Sequence, residues 1–153
     1  MRKHLFGASV HWNAAGGEGT VRYDGYSRNH SIGAKGKTEI AASSDPAFRG
    51  DAARYSPEEL LVASLSSCHL LWYLHLCSIN GIVVTDYRDE ASGTMEEGDG
   101  AARFTGAELR PVVTISEGNA ATALRLHEDA HERCFIARSV NFPVNVFPRV
   151  SRA

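Results

Sequence analysis

The chain changes its pattern of apolar and polar residues several times, and the changes separate predicted strands from predicted helices. β-prone runs bounded by turn residues predict strands at 4–12, 19–23, 37–42, 82–95, 102–115 and 144–150. Two longer stretches, 56–80 and 119–137, predict helices. This order of elements predicts one α+β domain over residues 1–153, with a mostly antiparallel sheet.

The start and end of the first helix are marked by its sequence. Ser56 is a suitable N-cap, Pro57 fits the first helical position, and Glu59 stands where a capping box places its carboxylate. Gly81 is the residue type that terminates helices in a left-handed conformation. The pattern therefore predicts a helix that begins next to Ser56 and ends near Asn80.

The interior of this helix carries no formal charge. The uncharged run 60–85 is long enough to cross a membrane, but it is interrupted by small polar residues and histidines: Ser64, Ser66, Ser67, His69, His75, Ser78 and Asn80. That content indicates the central helix of a soluble core rather than a membrane span. One small sheet cannot cover so much apolar surface, so the sequence also predicts a partner subunit.

Composition narrows the function classes. The chain has 153 residues with 16 Lys+Arg and 18 Asp+Glu, a net charge of −2, and no basic block of the kind that binds nucleic acid. Its N-terminus lacks the apolar segment of a secretory signal. Three cysteines, an odd number, indicate a reducing compartment and predict a cytoplasmic protein.

The three cysteines differ in what they can reach. Cys77 follows Cys68 by nine residues, about 180° around and roughly 13 Å along a helix, so these two thiols cannot meet. Cys77 is therefore predicted to be a buried core residue. Cys134 lies on the second predicted helix, and nothing in the local spacing prevents its approach to Cys68.

Four features of the chain resemble those of a known family. They are the motif Pro57-Glu58-Glu59-Leu60-Leu61, an Ala/Ser-rich turn ending in Cys68, a helical Cys134 and a short final strand. In these features the chain resembles the osmotically inducible protein C and organic hydroperoxide resistance (OsmC/Ohr) family. The resemblance implies an OsmC-like fold with a long central helix carrying the first cysteine and a second helix carrying the resolving cysteine. It also implies an intertwined homodimer with two active sites at its interface.

The implied activity is that of a thiol-dependent organic hydroperoxide reductase. By resemblance, Cys68 attacks the peroxide, Cys134 resolves the product as a disulfide, and a dithiol such as a lipoyl group reduces that disulfide. An unassisted thiol with a pKa near 8.5 is only slightly ionised at neutral pH, so a nearby cation is needed. The family supplies an arginine held by a glutamate. Glu58 matches the glutamate and Arg49 the arginine, with Arg54 and Arg28 as alternatives.

The implied site raises one geometric difficulty, and the sequence departs from the family pattern at one position. On an unbroken helix Glu58 and Cys68 would be roughly 15 Å apart, so the implied site requires either a break among Ser64, Ser66 and Ser67 or a separate short helix for Glu58. After the resolving cysteine the family continues with proline, whereas Phe135 follows here. Apolar residues are expected to favour an organic peroxide over hydrogen peroxide: Leu65, Leu71, Trp72, Phe135 and Phe142.

Two other function classes remain open. His127, His131 and Cys134 share one helical face, and with Cys68 they would supply the four ligands of a tetrahedral zinc site. A catalytically silent protein that binds a small ligand is the other alternative. The sequence contains no dinucleotide, phosphate-loop or flavin motif, so no cofactor is predicted.

Overall fold

The structure of the protein is a computed structural model that describes all of residues 1–153. The chain forms two compact units, Met1–Leu60 and Leu61–Ala153. The expectation of one domain over 1–153 stays a prediction.

The first unit contains a small antiparallel sheet. Its strands are β1 (Ser9–His11), β2 (His30–Gly33) and β3 (Ile40–Ala42), with β2 in the middle. The strand predicted at 19–23 is wrong, because residues 19–21 form a 3-10 turn that Gly19 begins with a φ of 66°. Strand β2 escaped prediction because its sequence, His-Ser-Ile-Gly, contains a single strongly apolar residue.

The loop after β3 is held tightly at Arg49 and Gly50. A 3-10 turn, Pro46–Phe48, is capped by Asp45, whose side chain accepts from the N–H of Ala47 at 2.8 Å. Arg49 follows with a φ of 65°, an unusual conformation for a residue with a side chain. A Cβ on Gly50 would lie 1.5 Å from the carbonyl oxygen of Ser44, so only glycine fits there.

Helix α1 (Pro57–Ile79) has the termini that the sequence predicts. The Ser56 hydroxyl accepts from the N–H of Glu59 at 3.2 Å, and the Glu59 carboxylate accepts from the N–H of Ser56 at 3.3 Å. This reciprocal pair is a capping box and accounts for Glu59. At the other end Gly81 has a φ of 70°, and the N–H of Ile82 donates to the carbonyl of Cys77 at 3.0 Å.

The second unit contains two three-stranded sheets. One has the order β4-β7-β9, formed by Val83–Asp89, Pro111–Glu117 and Arg149–Arg152; the other has the order β5-β6-β8, formed by Ser92–Gly98, Ala101–Leu109 and Val144–Val146. The predicted hairpin around 97–100 is confirmed as the β5–β6 connection. Strands β8 and β9 each pair in parallel, so the sheets are mixed. The α+β class is confirmed.

Helix α2 (Ala120–Arg133) is shorter than predicted. Asn119 caps it by accepting from the N–H of Thr122 at 2.9 Å. It ends at Arg133 because the backbone of Cys134 turns to an extended ψ of 113°, and a separate 3-10 turn, Ala137–Ser139, follows. Cys134 is therefore the residue that caps the helix and does not lie within it.

Two apolar clusters hold α1 in the second unit. Near its C-terminal end, Tyr73, Leu76 and Cys77 pack with residues of β7 and α2: Val113, Ile115, Ala123, Leu126 and Ala130. One side of its middle is held by Leu65, which packs with Ala107 and Leu109 of β6 and with Val144 of β8. These contacts fix the position of the intervening turn, which contains Cys68.

Candidate active site

The structure brings two of the three thiols together. Cys68 is half-buried in the middle of α1, and Cys134 is completely buried just after α2; both are free thiols. The pKa of Cys134 is raised to about 11, mainly by desolvation; the backbone N–H of Ala137 opposes the rise, and a hydrogen bond and charge interaction with Cys68 add to it. The contribution from Cys68 exists only because the two side chains are neighbours.

Cys77 has the structural role that the sequence predicts for it. Its side chain lies in the core cluster formed by α1, α2 and β7, with 1% of its surface exposed. Burial raises the pKa of Cys77, while a hydrogen bond with Tyr73 partly opposes the rise. A protonated thiol in an apolar core is chemically inert.

The expected break between Glu58 and Cys68 is absent. Helix α1 is continuous from Pro57 to Ile79. Its serines do not interrupt it, because the Ser64 hydroxyl donates to the Leu61 carbonyl one turn earlier at 2.8 Å and the Ser66 hydroxyl donates to Asp89 at 2.6 Å. Glu58 therefore lies roughly 15 Å along the axis from Cys68 of its own chain.

Glu58 has an incomplete set of hydrogen bonds. Its Oε2 atom is buried and has no hydrogen-bond partner. A buried carboxylate oxygen without a donor is destabilising.

The three candidate arginines differ in their hydrogen bonds. Arg28 donates to the carbonyls of Tyr26 and Tyr23 at 2.6 and 2.5 Å, and its guanidinium lies 3.8 Å from the centre of the Tyr26 ring. Arg54 donates to the carbonyls of His30 and Ala42 at 3.1 and 3.4 Å. Arg49 makes no side-chain hydrogen bond, and its guanidinium lies 5.6 Å from the Tyr23 ring centre. Arg49 is therefore the candidate whose donors are available to another group.

A buried histidine pair next to the thiols was not anticipated. His69 Nε2 and His127 Nδ1 share a hydrogen bond of 3.0 Å, and the His127 ring stacks on Tyr73 at 3.8 Å. The pKa of His69 is lowered to about 4 and that of His127 to about 3, mainly by desolvation and in smaller part by a neighbouring histidine, His131 for His69 and His69 for His127. The pair is therefore neutral at neutral pH. The sequence signal was present, since His69 directly follows Cys68, but its partner was not evident from spacing.

The zinc alternative is not supported by the structure. No group of three or more His, Cys, Asp or Glu side chains is arranged to hold a metal ion. The four proposed ligands, Cys68, His127, His131 and Cys134, therefore do not form a metal site.

The apolar residues expected around the thiol fall into different environments. Trp72, one turn after Cys68, makes an edge contact with Phe135 at 5.4 Å between ring centres, and Phe135 is 66% exposed. Leu65 lies in the core and Phe142 stacks on Phe104 at 5.6 Å. Leu71 is 64% exposed. Trp72 and Phe135 are thus the apolar side chains that flank the two cysteines.

A cavity of about 600 Å³ lies beside α2. His127 and His131 line it together with apolar residues that include Leu124, Val144 and Val146. Neither thiol is among its lining residues.

The fold and the paired thiols define an α+β protein with a dithiol between its two helices, and comparisons with known proteins identify its family. The family model described as OsmC-like protein matches residues 50–147. The chain belongs to this family, as the sequence motifs predicted. No curated protein matches the chain.

Solved structures agree with this assignment. An OsmC-like protein of unknown function from Vibrio cholerae is 32% identical, with 97% of this chain and 100% of that chain covered and a TM-score of 0.86. An organic hydroperoxide resistance protein OsmC from Legionella pneumophila is 19% identical, with coverages of 97% and 99% and a TM-score of 0.65. The organic hydroperoxide resistance protein OhrB of Bacillus subtilis is 20% identical, with coverages of 97% and 100% and a TM-score of 0.59.

Proposed function

We propose that this protein is a thiol-dependent peroxidase that reduces organic hydroperoxides through a Cys68/Cys134 dithiol-disulfide cycle. The observation that carries the proposal is the meeting of two free thiols of unequal exposure. Cys68 is half-buried, so a small hydroperoxide can reach it, whereas Cys134 is completely buried. This difference suits an attacking thiol and a resolving thiol.

The proposed cycle has three balanced steps. The Cys68 thiolate attacks the outer peroxide oxygen, the O–O bond breaks, and the alkoxide takes a proton to leave as an alcohol. Cys134 then attacks the sulfur of the Cys68 sulfenic acid, so that a disulfide forms and water leaves. An external dithiol, such as a lipoyl group, reduces the disulfide by thiol exchange and is itself oxidised. Such a cycle requires a reducing compartment, so the proposed location is the cytoplasm.

Arg49 and Glu58 are proposed to act across a homodimer. Because α1 is unbroken, Glu58 cannot approach Cys68 of its own chain. The buried, unpartnered Oε2 of Glu58 and the free guanidinium of Arg49 support a pairing in which Glu58 orients Arg49 beside the Cys68 of the other subunit. The arginine would stabilise the thiolate there.

The exposed face of α1 supports the homodimer. By length and composition α1 would also pass as a membrane span, although one such helix is weak evidence and is equally found in soluble cores. Only 28% of its apolar window is buried within the chain, and Leu71, Leu74 and Ile79 are 64%, 37% and 64% exposed. A second copy would cover this uncharged surface. The polar residues that share the helix, including Ser67 and Ser78, favour a protein partner over lipid.

A silent small-ligand binder is the second candidate. The cavity of about 600 Å³ beside α2 supports it, because its volume suits a small molecule and it does not involve the thiols. The V. cholerae relative, whose function is unknown, does not decide between the two candidates.

Thiol titration separates the two candidates. The reduced protein is treated with one equivalent of cumene hydroperoxide, and free thiols are counted before and after under denaturing conditions. The peroxidase loses two thiols per chain and retains Cys77. A count that stays at three would contradict the peroxidase proposal and favour the binder.

A further inference from the structure

The turn that follows α2 places a backbone donor on the sulfur of Cys134. The N–H of Ala137 donates to Cys134 Sγ at 3.4 Å, and the N–H of Arg138 donates to the Cys134 carbonyl at 3.1 Å. The turn is itself closed by the N–H of Ser139, which donates to the Ile136 carbonyl at 3.0 Å. Residues 136–139 therefore fold back over Cys134 and enclose its thiol.

The groups around this sulfur shift the pKa of Cys134 in opposite directions. Burial and the neighbouring Cys68 thiol raise the pKa of Cys134, whereas the backbone N–H groups of Ala137 and Ile136 lower it. Cys68 is the ionisable side chain that contributes to this pKa. The other titratable or charged residues next to the two thiols in sequence are His69 on α1, His131, Glu132 and Arg133 on α2, and Arg138 in the turn.

The N–H of Ala137 already lies on the sulfur in the reduced protein, so this donor is in place when Cys134 has to give up its proton. Amide N–H groups held around a developing anion stabilise it without further reorganisation, as in an oxyanion hole.

From this geometry we infer that the N–H of Ala137 stabilises the thiolate that the resolving cysteine, Cys134, must form. The inference rests on the proposed peroxidase function. In the resolving step Cys134 loses its proton and its sulfur bonds to Cys68. The S–O bond of the sulfenic acid breaks, and the leaving hydroxide takes up a proton as water.

The test replaces single amides with esters in the complete chain. Residues 1–133, made as a thioester, are ligated to a synthetic peptide of residues 134–153, which begins with the required cysteine. An ester in place of the Ala137 N–H removes the donor to sulfur. The matched control is an ester in place of the Arg138 N–H, which donates to the Cys134 carbonyl and not to its sulfur. Each ester also weakens the carbonyl before it, which is that of Ile136, the acceptor for the Ser139 N–H, in the first variant and that of Ala137 in the control.

Stopped-flow oxidation with one equivalent of cumene hydroperoxide, quenched for mass spectrometry, measures the two steps separately. With the Ala137 ester, we expect disulfide formation at pH 7 to slow about tenfold and its pH midpoint to rise by about 1, while sulfenic acid forms at the normal rate. The Arg138 ester should stay within about twofold of the all-amide protein. Normal resolution with the Ala137 ester, or equal slowing with both esters, would overturn the inference.

A second measurement keeps this test independent of the proposed function. The ¹³Cβ chemical shift of Cys134 reports its ionisation whether or not a peroxide reacts. We expect the titration midpoint to rise with the Ala137 ester and to stay near that of the unmodified chain with the Arg138 ester. If peroxide does not oxidise the all-amide protein, the proposed function fails, yet these midpoints still decide the inference. A midpoint that does not move with the Ala137 ester, or that moves equally with both esters, would refute it.

Discussion

Two neighbouring parts of α1 carry the same residue types in opposite environments. Around residue 68, the thiol of Cys68 is half-buried and the adjacent His69 is completely buried. Two turns later the order is reversed, with His75 exposed and Cys77 buried in the core. The difference arises from what crosses the helix at each place: Cys134 and His127 meet the first pair, and the core meets Cys77. Residue type alone therefore does not determine the chemistry of a thiol.

The largest expected difference in activity is between the serine variants of the two cysteines of α1. Cys68→Ser should abolish the consumption of cumene hydroperoxide, because serine cannot attack the O–O bond. Cys77→Ser should leave turnover near the wild-type rate, since its side chain lies in the core and away from the dithiol. A coupled assay of peroxide loss measures both. Full turnover by the Cys68→Ser protein would refute the mechanism.

Removing the resolving thiol should stop the cycle after one step. Cys134→Ser should consume one equivalent of hydroperoxide and then stall with a sulfenic acid on Cys68, which excess peroxide converts to sulfinic acid. Intact mass spectrometry distinguishes these products. If the Cys134→Ser protein turns over with a monothiol reductant, the resolving role of Cys134 still stands. If it turns over at the wild-type rate with a dithiol reductant, Cys134 is not the resolving cysteine.

A charged residue on the exposed face of α1, between Cys68 and Cys77, should disrupt the proposed dimer. Leu71 is 64% exposed on α1, so Leu71→Lys is expected to fold but to lose the burial that a second copy provides. Sedimentation velocity at micromolar concentration should show a dimer for the wild type and a monomer for the variant. Leu124→Lys, at an exposed leucine of α2 and outside this face, is the control and should stay dimeric. A wild-type monomer with native helix content would contradict the homodimer.

The arginine assignment predicts a smaller change in reactivity. Arg49→Ala should raise the pH at which Cys68 reacts with iodoacetamide, and a tenfold change in the acid dissociation constant of the thiol corresponds to about 1.4 kcal/mol between the protonation states. Glu58→Ala should act in the same direction but less strongly, because it removes only the group that holds the arginine. Arg54→Ala, whose guanidinium is bound to backbone carbonyls, should leave the curve unchanged. A shift of the curve in Arg54→Ala but not in Arg49→Ala would show that Arg49 is not the arginine that assists the thiolate.

The buried and exposed histidines predict different effects of pH on stability. The pKa values of His69 and His127 are lowered in the folded state to about 4 and about 3, while an unfolded histidine titrates near 6.5. Their contribution is therefore present above pH ~6.5 and is lost as the pH falls toward 4, by an amount on the order of a few kcal/mol. Urea denaturation at pH 7.5 and 4.5 measures this difference.

Two variants test whether the histidine pair causes that pH dependence. His69→Gln should reduce the difference in unfolding free energy between the two pH values, whereas His75→Gln, exposed on the same helix, should not change it. Equal reductions in both variants would show that the buried pair is not its source.

Local signals in the sequence determined the boundaries of several elements. The capping box at Ser56 and Glu59, the left-handed Gly81 and the Asn119 cap depend on residues within four positions of one another, so they can be read without the fold. The separation of Cys68 from Cys77 follows from helix geometry in the same way. The family motifs add a dithiol at Cys68 and Cys134.

Only the tertiary structure decided which side chains meet across long separations in the chain. It paired Cys68 with Cys134, joined His69 to His127, kept α1 continuous through its serines and ended α2 before Cys134. It also did not bring the four proposed zinc ligands into one cluster. These outcomes depend on burial and on partners from distant segments. Burial changes the pKa of a side chain and fixes its hydrogen bonds through neighbours that local spacing does not specify.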